Sequence, residues 1–309
     1  MDETPFTRPL LSPWHRQTRT DEALLLAYGG ALTEVSGAAV ETLLPALLPR
    51  LDGRNGVDEI VAALGEPARP AVEAAVSALG RAGLLAEGPA LPEHPLAMHL
   101  ASLSARPEPG RVAAALAESR VVVVGTGTTA ATLVAALTAC GIDAVDGGFD
   151  SADDAALAVV APAPAELPLL HDWNRKALET AADWVVVLPF DGGTAWVGPL
   201  FDPPETSCFE CFRLRRAANL PHEDAQLQLD QAPAAYPVPP VIDSLLASFT
   251  ALVVARRIGL GDPLLAGAAY ALELGPEPGW SRHVVYPVPR CPACAPNAQA
   301  SPVAVWGSA

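Results

Sequence analysis

Four cysteines carry the clearest chemistry in this 309-residue chain, which has only five. Cys208 and Cys211 stand three positions apart in TSCFECFRLRR, and Cys291 and Cys294 repeat the spacing in PRCPACAP. Two such knuckles can close a tetrahedral thiolate shell around Zn2+, a structural ion with no open position for water or substrate. A redox pair is the competing reading. A thioredoxin-like site, however, needs one Cys-x-x-Cys at the start of a helix, and here two equivalent pairs occur. Cys140, in ALTACGIDAV, reads as a small buried hydrophobe. A metal held by both pairs would tie the segment around residue 210 to one some eighty positions further on, so the chain between them must fold back.

A second chemical feature is the turn Gly125-Thr126-Gly127, which follows the apolar run Val121 to Val124 and precedes an apolar helix-like stretch. Strand, glycine turn and helix begin a Rossmann-like unit. The match is partial: Ala130 stands where a third glycine would be, and Asp146 and Asp150 flank a glycine-rich loop without forming a convincing ribose ligand. An NAD-dependent oxidoreductase would rest on this turn alone. No Ser-His-Asp grouping accompanies it, and the six histidines are scattered.

The elements that must position these groups divide the chain in two. The segment EGPALPEHPLAMHLASLSARPEPGR holds five prolines between better patterned regions, so residues 91–117 read as a linker, with one helical turn in it, between a domain over 1–90 and one over 118–309. In the first, EALLLAYGGALTEVSG reads as two short strands around the Gly29-Gly30 turn, and the preceding HRQTRT offers a third. Three helices are expected next, over GAAVETLLPALLPRLDG, where Pro45 would strain the interior, then GVDEIVAALG, then PARPAVEAAVSALGRAG with Val72, Val76 and Leu79 on one stripe. Strands followed by three helices make a winged helix-turn-helix outline. In the second domain ALAVV, DWVVVLPF and AWVGPLF read as further strands of an α/β sheet.

Charge limits the partners. The formal charge is -16, and residues 1–90 hold twelve acidic against seven basic side chains, which argues against nucleic acid even for a winged-helix outline. No apolar run reaches about 18 residues, and no basic segment with an apolar core opens the chain, so the cytoplasm is expected, with no membrane span. The first domain is then either a scaffold or a peptide binder. In the second case a ligand strand adds beside Leu32, Thr33, Glu34 and Val35, with side chains directed at Val72, Val76 and Leu79.

The order of these features resembles a known family. The run AWVGPLFDPPETSCFECFRLRR with YPVPRCPACAP resembles the zinc-bearing half of ThiF-like proteins, the fold of ubiquitin-activating-type adenylating enzymes. LDGRNGVDEIVAALG and GRAGLL resemble the PqqD-type domain that binds leader peptides of ribosomally made natural products. Together they are similar to the ThiF-like leader-binding proteins that partner YcaO-domain cyclodehydratases in thiazole and oxazole biosynthesis. That resemblance implies a leader peptide and a YcaO-domain enzyme as partners, with a homodimer also in keeping. The adenylating enzymes need a full glycine loop, an Asn-Leu-x-Arg-Gln-like stretch and a magnesium-binding aspartate. Here the loop is GTGTTA, no such stretch follows GIDAVDGGFD, and only Asp172 stands near the aspartate's place. Without cationic partners a transferring adenylyl group loses its largest stabilising term. The expectation is a kept fold with a vestigial loop at Gly125 and Gly127, no catalytic residues and no use of ATP. The runner-up is an active adenylating enzyme acting on a peptide C-terminus.

Overall fold

The computed structural model describes residues 6–20, 23–150, 157–203, 205–232 and 236–295; the last fourteen residues of the expected second domain lie outside that set. The chain forms two compact units, 1–117 and 118–309.

In the first unit β1 (Pro9–Leu11) is followed by an antiparallel meander of β2 (Arg16–Arg19), β3 (Ala23–Tyr28) and β4 (Ala31–Ser36). The two-residue turn between β3 and β4 needs a left-handed residue, and Gly29 supplies it at φ +58°. The next apolar stretch is not one helix. Pro45 has no N–H to continue the ladder, so the chain breaks into α1 (Ala38–Thr42) and α2 (Leu44–Leu47). After α3 (Val57–Leu64) and α4 (Arg69–Arg81), β5 (Leu85–Glu87) returns to pair antiparallel with β1. The core beneath gathers Leu24 and Leu26 of β3, Leu44 and Leu47 of α2, Ile60 and Val61 of α3, and Val72, Val76 and Leu79 of α4.

Residues 91–117 are not an irregular linker. They carry α5 (Pro95–Ser102) and α6 (Pro109–Glu118), each with its proline in the first turn, where the missing N–H would have had no partner anyway. The prolines that look like breakers therefore start helices. Ala97, Leu100, Ala101, Val112 and Leu116 are buried by them.

The second unit is mixed α/β, built on a seven-stranded sheet in the order β12-β11-β10-β9-β8-β6-β7. Its elements are β6 (Arg120–Val124), α7 (Thr128–Ala139), β7 (Asp143–Gly147), β8 (Leu157–Val160), α8 (Leu169–Thr180), β9 (Trp184–Leu188), β10 (Thr194–Phe201), α9 (Phe209–Ala217), α10 (Glu223–Leu229), α11 (Pro240–Leu260), β11 (Ala268–Glu273) and β12 (Gly279–Val284). β7, β6, β8 and β9 run parallel, and β10 to β12 continue antiparallel. The inner parallel strands β6, β8 and β9 are largely buried on both faces and accordingly read as near-continuous valine-rich apolar runs, while the edge strand β7 has no buried residue. Because the chain goes from β6 to β7 on one side and then to β8 on the other, the carboxyl ends of β6 and β8 border the crevice where such sheets bind ligands. No helix among the described residues is long and apolar enough to cross a membrane.

Candidate metal centre, glycine turn and strand edge

The four cysteines converge. Cys208 is the N-cap of α9 and Cys211 lies in its first turn; the buried Asn174 of α8 accepts the Phe209 N–H at 2.9 Å, meeting one of the donors a helix start leaves open. Cys291 and Cys294 arrive on the segment after β12. Cys208 Sγ lies 3.8 Å from Cys211 Sγ and 3.7 Å from Cys291 Sγ, and Cys211 Sγ lies 3.6 Å from Cys294 Sγ. All four sulfurs fall within 4.8 Å of one another. A sulfur tetrahedron with metal–sulfur bonds of about 2.3 Å has edges of about 3.8 Å, whereas a disulfide needs about 2.05 Å. The spacing fits a shared ion and not two bridges. Cys208, Cys211 and Cys291 are buried, and Cys294 is exposed at the rim.

The thiols are already polarised for a cation. Cys208 donates to Cys211, and with the Val288 N–H at 3.2 Å this draws the Cys211 thiol down to about 5. The same sulfur–sulfur bond, reinforced by burial, pushes Cys208 upward. Burial raises Cys294 to about 12. Cys211 is thus the sulfur most readily ionised beside Cys208 and Cys294, whose thiols are pushed up.

The glycine turn has a different fate. Gly125 sits at φ +136°, and a Cβ there would meet Ala161 O at 2.1 Å, so the turn is pressed against the strand exit of β8. Its donors are met from within the chain. Glu166 accepts the Thr126 N–H at 3.1 Å and the Thr126 hydroxyl at 2.8 Å, and its Oε2 also takes the Ala163 N–H at 2.8 Å. A carboxylate therefore lies against the turn that precedes α7, bridging it to the segment after β8. Gly127 is the N-cap of α7. Asp172 is on α8 and pairs with Arg175 at 3.1 Å. Sequence reasoning missed Glu166; the signal was the acidic residue three positions after Ala163, a helix-capping pattern.

On α9 the buried Glu210 and Arg213 form a two-pronged ion pair at 2.7 and 3.0 Å, and Arg213 donates to Leu227 O of α10. His171 lies 3.7 Å from Glu210, and burial, aided by Arg213, lowers its pKa. A neutral imidazole beside a pair that is already satisfied reads as structural.

In the first unit Leu32, Thr33, Glu34 and Val35 lie on a strand that, among the described residues, pairs with β3 alone and so forms a sheet edge. Val72, Val76 and Leu79 are only 0, 7 and 4% exposed and are packed in the core; they do not line an open groove. The register adds what the pattern could not. Tyr28 faces Ala31 across the two-residue turn, Leu26 faces Thr33 and Leu24 faces Val35. The pair closing such a turn exchanges both its hydrogen bonds, and alternation then places the N–H groups of Leu32, Glu34 and Ser36 on the free side.

No protein-family model matches the chain, and no curated protein matches it. Solved structures do. The heterocyclase TruD superposes with a TM-score of 0.75 at 25% identity, covering 94% of this chain and 43% of that one. A heterocyclase in complex with substrate and cofactor matches at TM-score 0.74 and 25% identity, over 94% of this chain and 40% of the other. MccB of E. coli matches at TM-score 0.64 and 14% identity over 94% of this chain and 98% of its own, which shows a shared fold; it has also been solved with ATP. This chain spans less than half the length of the two heterocyclases.

Proposed function

We propose that this chain binds the leader of a ribosomally made precursor peptide and presents its Cys, Ser or Thr residues to a separate, ATP-using YcaO-domain cyclodehydratase. The observation that carries the reading is the likeness of almost all of this chain to heterocyclases, one of them with substrate bound, together with the open edge of β4. Tethering the peptide there raises its effective concentration at the cyclodehydratase.

In this reading residues 1–90 are a PqqD-like winged-helix recognition domain, α5 and α6 extend it, and residues 118–309 are a ThiF-like domain that scaffolds without adenylating. The Glu166 carboxylate bonded to Thr126 and Ala163 supports the second point, because a phosphate entering at the turn would meet a like charge there. The four thiolates hold Zn2+, which suits a buried, all-sulfur tetrahedral set and supplies cross-linking rather than reactivity. The leader adds as a strand to β4, with backbone pairing to Leu32, Glu34 and Ser36 giving affinity. The protein works in the cytoplasm, where reduced thiols are available to the metal.

The competing reading, an adenylating enzyme, has the MccB fold in its favour. ATP–pyrophosphate exchange separates the two. The purified chain with peptide and ATP is expected to show none, and to give no loss of water from the peptide until a YcaO-domain enzyme is added. Exchange above background, or dehydrated peptide from this chain alone, would refute presentation as its role.

A further inference from the structure

The segment that brings Cys291 and Cys294 to the metal centre has few means of docking. In Tyr286-Pro287-Val288-Pro289 two of the four residues lack an N–H, so the stretch cannot extend the sheet beyond Val285, whose N–H reaches Gly267 O at 2.9 Å. Its carbonyls are met by one side chain. Arg215 donates from Nε to Tyr286 O at 2.5 Å and from Nη2 to Pro287 O at 2.9 Å. The next backbone group, Val288 N–H, goes to Cys211 Sγ, and Cys291 N–H closes a turn onto Val288 O at 3.1 Å. Arg215 stands four positions after Cys211 on α9, hence on the same helix face. The face that carries a metal ligand therefore also carries the guanidinium fork that fixes the other ligand pair.

We infer that Arg215 is a positioning residue for the four-cysteine centre: it docks residues 286–288 independently of the metal and so pre-sets the second knuckle at tetrahedral spacing. This rests on the reading that the cysteines hold a metal. Without the fork, closing the shell requires the tail to be captured from solution each time, and a ligand that leaves is not held nearby for return. Partners outside the ligand shell that orient ligands commonly change metal affinity by about 10- to 100-fold. Lysine does not substitute, because a point charge cannot span two successive carbonyls as the planar fork does.

The test uses the full chain loaded with zinc, and in parallel with cobalt(II), whose tetrathiolate absorption reports the ligand set directly. Arg215→Ala is expected to release metal to a chromogenic chelator about tenfold faster than wild type, with unchanged far-UV circular dichroism. Arg215→Lys should behave like the alanine variant. Arg216→Ala, whose nearest carboxylates lie 3.8 and 4.0 Å away on Asp230 and Asp191, should release at the wild-type rate. Amide exchange over 286–290 should remain slowed in chelated wild type and become fast only when chelation and Arg215→Ala are combined. Should Arg215→Ala fail to fold, Arg215→Lys carries the same comparison. Equal release from wild type and the Arg215 variants, with metal bound in all, overturns the inference alone. A reduced wild-type chain that takes up neither metal overturns the metal reading and this inference with it.

Discussion

The free edge of β4 and the glycine turn after β6 both present backbone N–H groups of the kind that hold ligands, yet the chain treats them oppositely. At the turn, Glu166 of the same unit accepts from Thr126 and Ala163. Along β4 the outward N–H groups of Leu32, Glu34 and Ser36 face no strand of the described chain. Buried or half-buried donors are nearly always paired, and those left to water are the ones a partner can claim. Where an internal acceptor has filled a site, chemistry on an external one is blocked; where none has, the fold leaves a template. The contrast is the one that the proposed division, a scaffolding second unit and a recognising first, requires.

If the second unit is a scaffold, the largest effect should come from opening its closure. Cys291→Ser removes a wholly buried thiolate from a shell that spans eighty residues. We expect the metal to be lost and the unfolding midpoint of the second unit to fall by about 10 °C, corresponding to about 3–5 kcal/mol. Calorimetry with and without chelator checks this: a chelator effect as large in the variant as in wild type would contradict it. The transition of the first unit should stay in place, which keeps the two roles apart.

The next effect lies at the strand edge. Glu34→Pro deletes an N–H that points away from β3, a position where an edge strand tolerates proline. Leader affinity should fall at least about tenfold, the loss of a paired strand bond plus its steric fit, while far-UV dichroism is unchanged. Val35→Pro, one residue on, deletes a donor that pairs with Leu24 and should destabilise the unit instead. Titration of a labelled leader peptide into both variants reads the difference, and undiminished binding by Glu34→Pro would move the site off β4. A charge at Val76 is a poorer probe: the residue is in the core, and a buried unpaired carboxylate there costs several kcal/mol of folding.

That misplacement shows what the sequence could and could not convey. Val72, Val76 and Leu79 share a helix stripe, and periodicity reports which face is apolar without saying whether sheet or ligand covers it. Val121 to Val124 and the later valine runs were legible as buried strands because parallel strands bury both faces. The cysteine pairing was legible too, since repeated spacing of a rare residue implies a shared centre. Pro95 and Pro109 misled, because proline marks both an interruption and a helix start, and only the following apolar spacing separates them. Arg215, and the reach of Glu166 to Thr126, were illegible for a common reason: each acts on a backbone group forty or more positions away, and backbone donors and acceptors leave no mark in side-chain pattern.

The smallest expected effect tests the closed half of the comparison directly. Glu166→Ala frees Thr126 N–H in the glycine turn and Ala163 N–H after β8, and removes the carboxylate that bridges them. Two readings of that carboxylate make different forecasts. If it were a removable plug over a working nucleotide site, its loss would admit ATP and yield pyrophosphate exchange. If it is part of a turn that no longer serves nucleotides, the Asn-Leu-x-Arg-Gln-like stretch that the sequence lacks is still not supplied, Asp172 stays paired with Arg175, and exchange stays at background. The second is expected. What remains is the loss of a cap, about 1 kcal/mol of stability, because the freed amides lie at a partly exposed turn where water can take the carboxylate's place. Equilibrium denaturation of Glu166→Ala beside Glu166→Gln measures it. Glutamine keeps an acceptor oxygen and should recover part of the loss, whereas ATP-dependent exchange in either variant would show that the turn had only been covered.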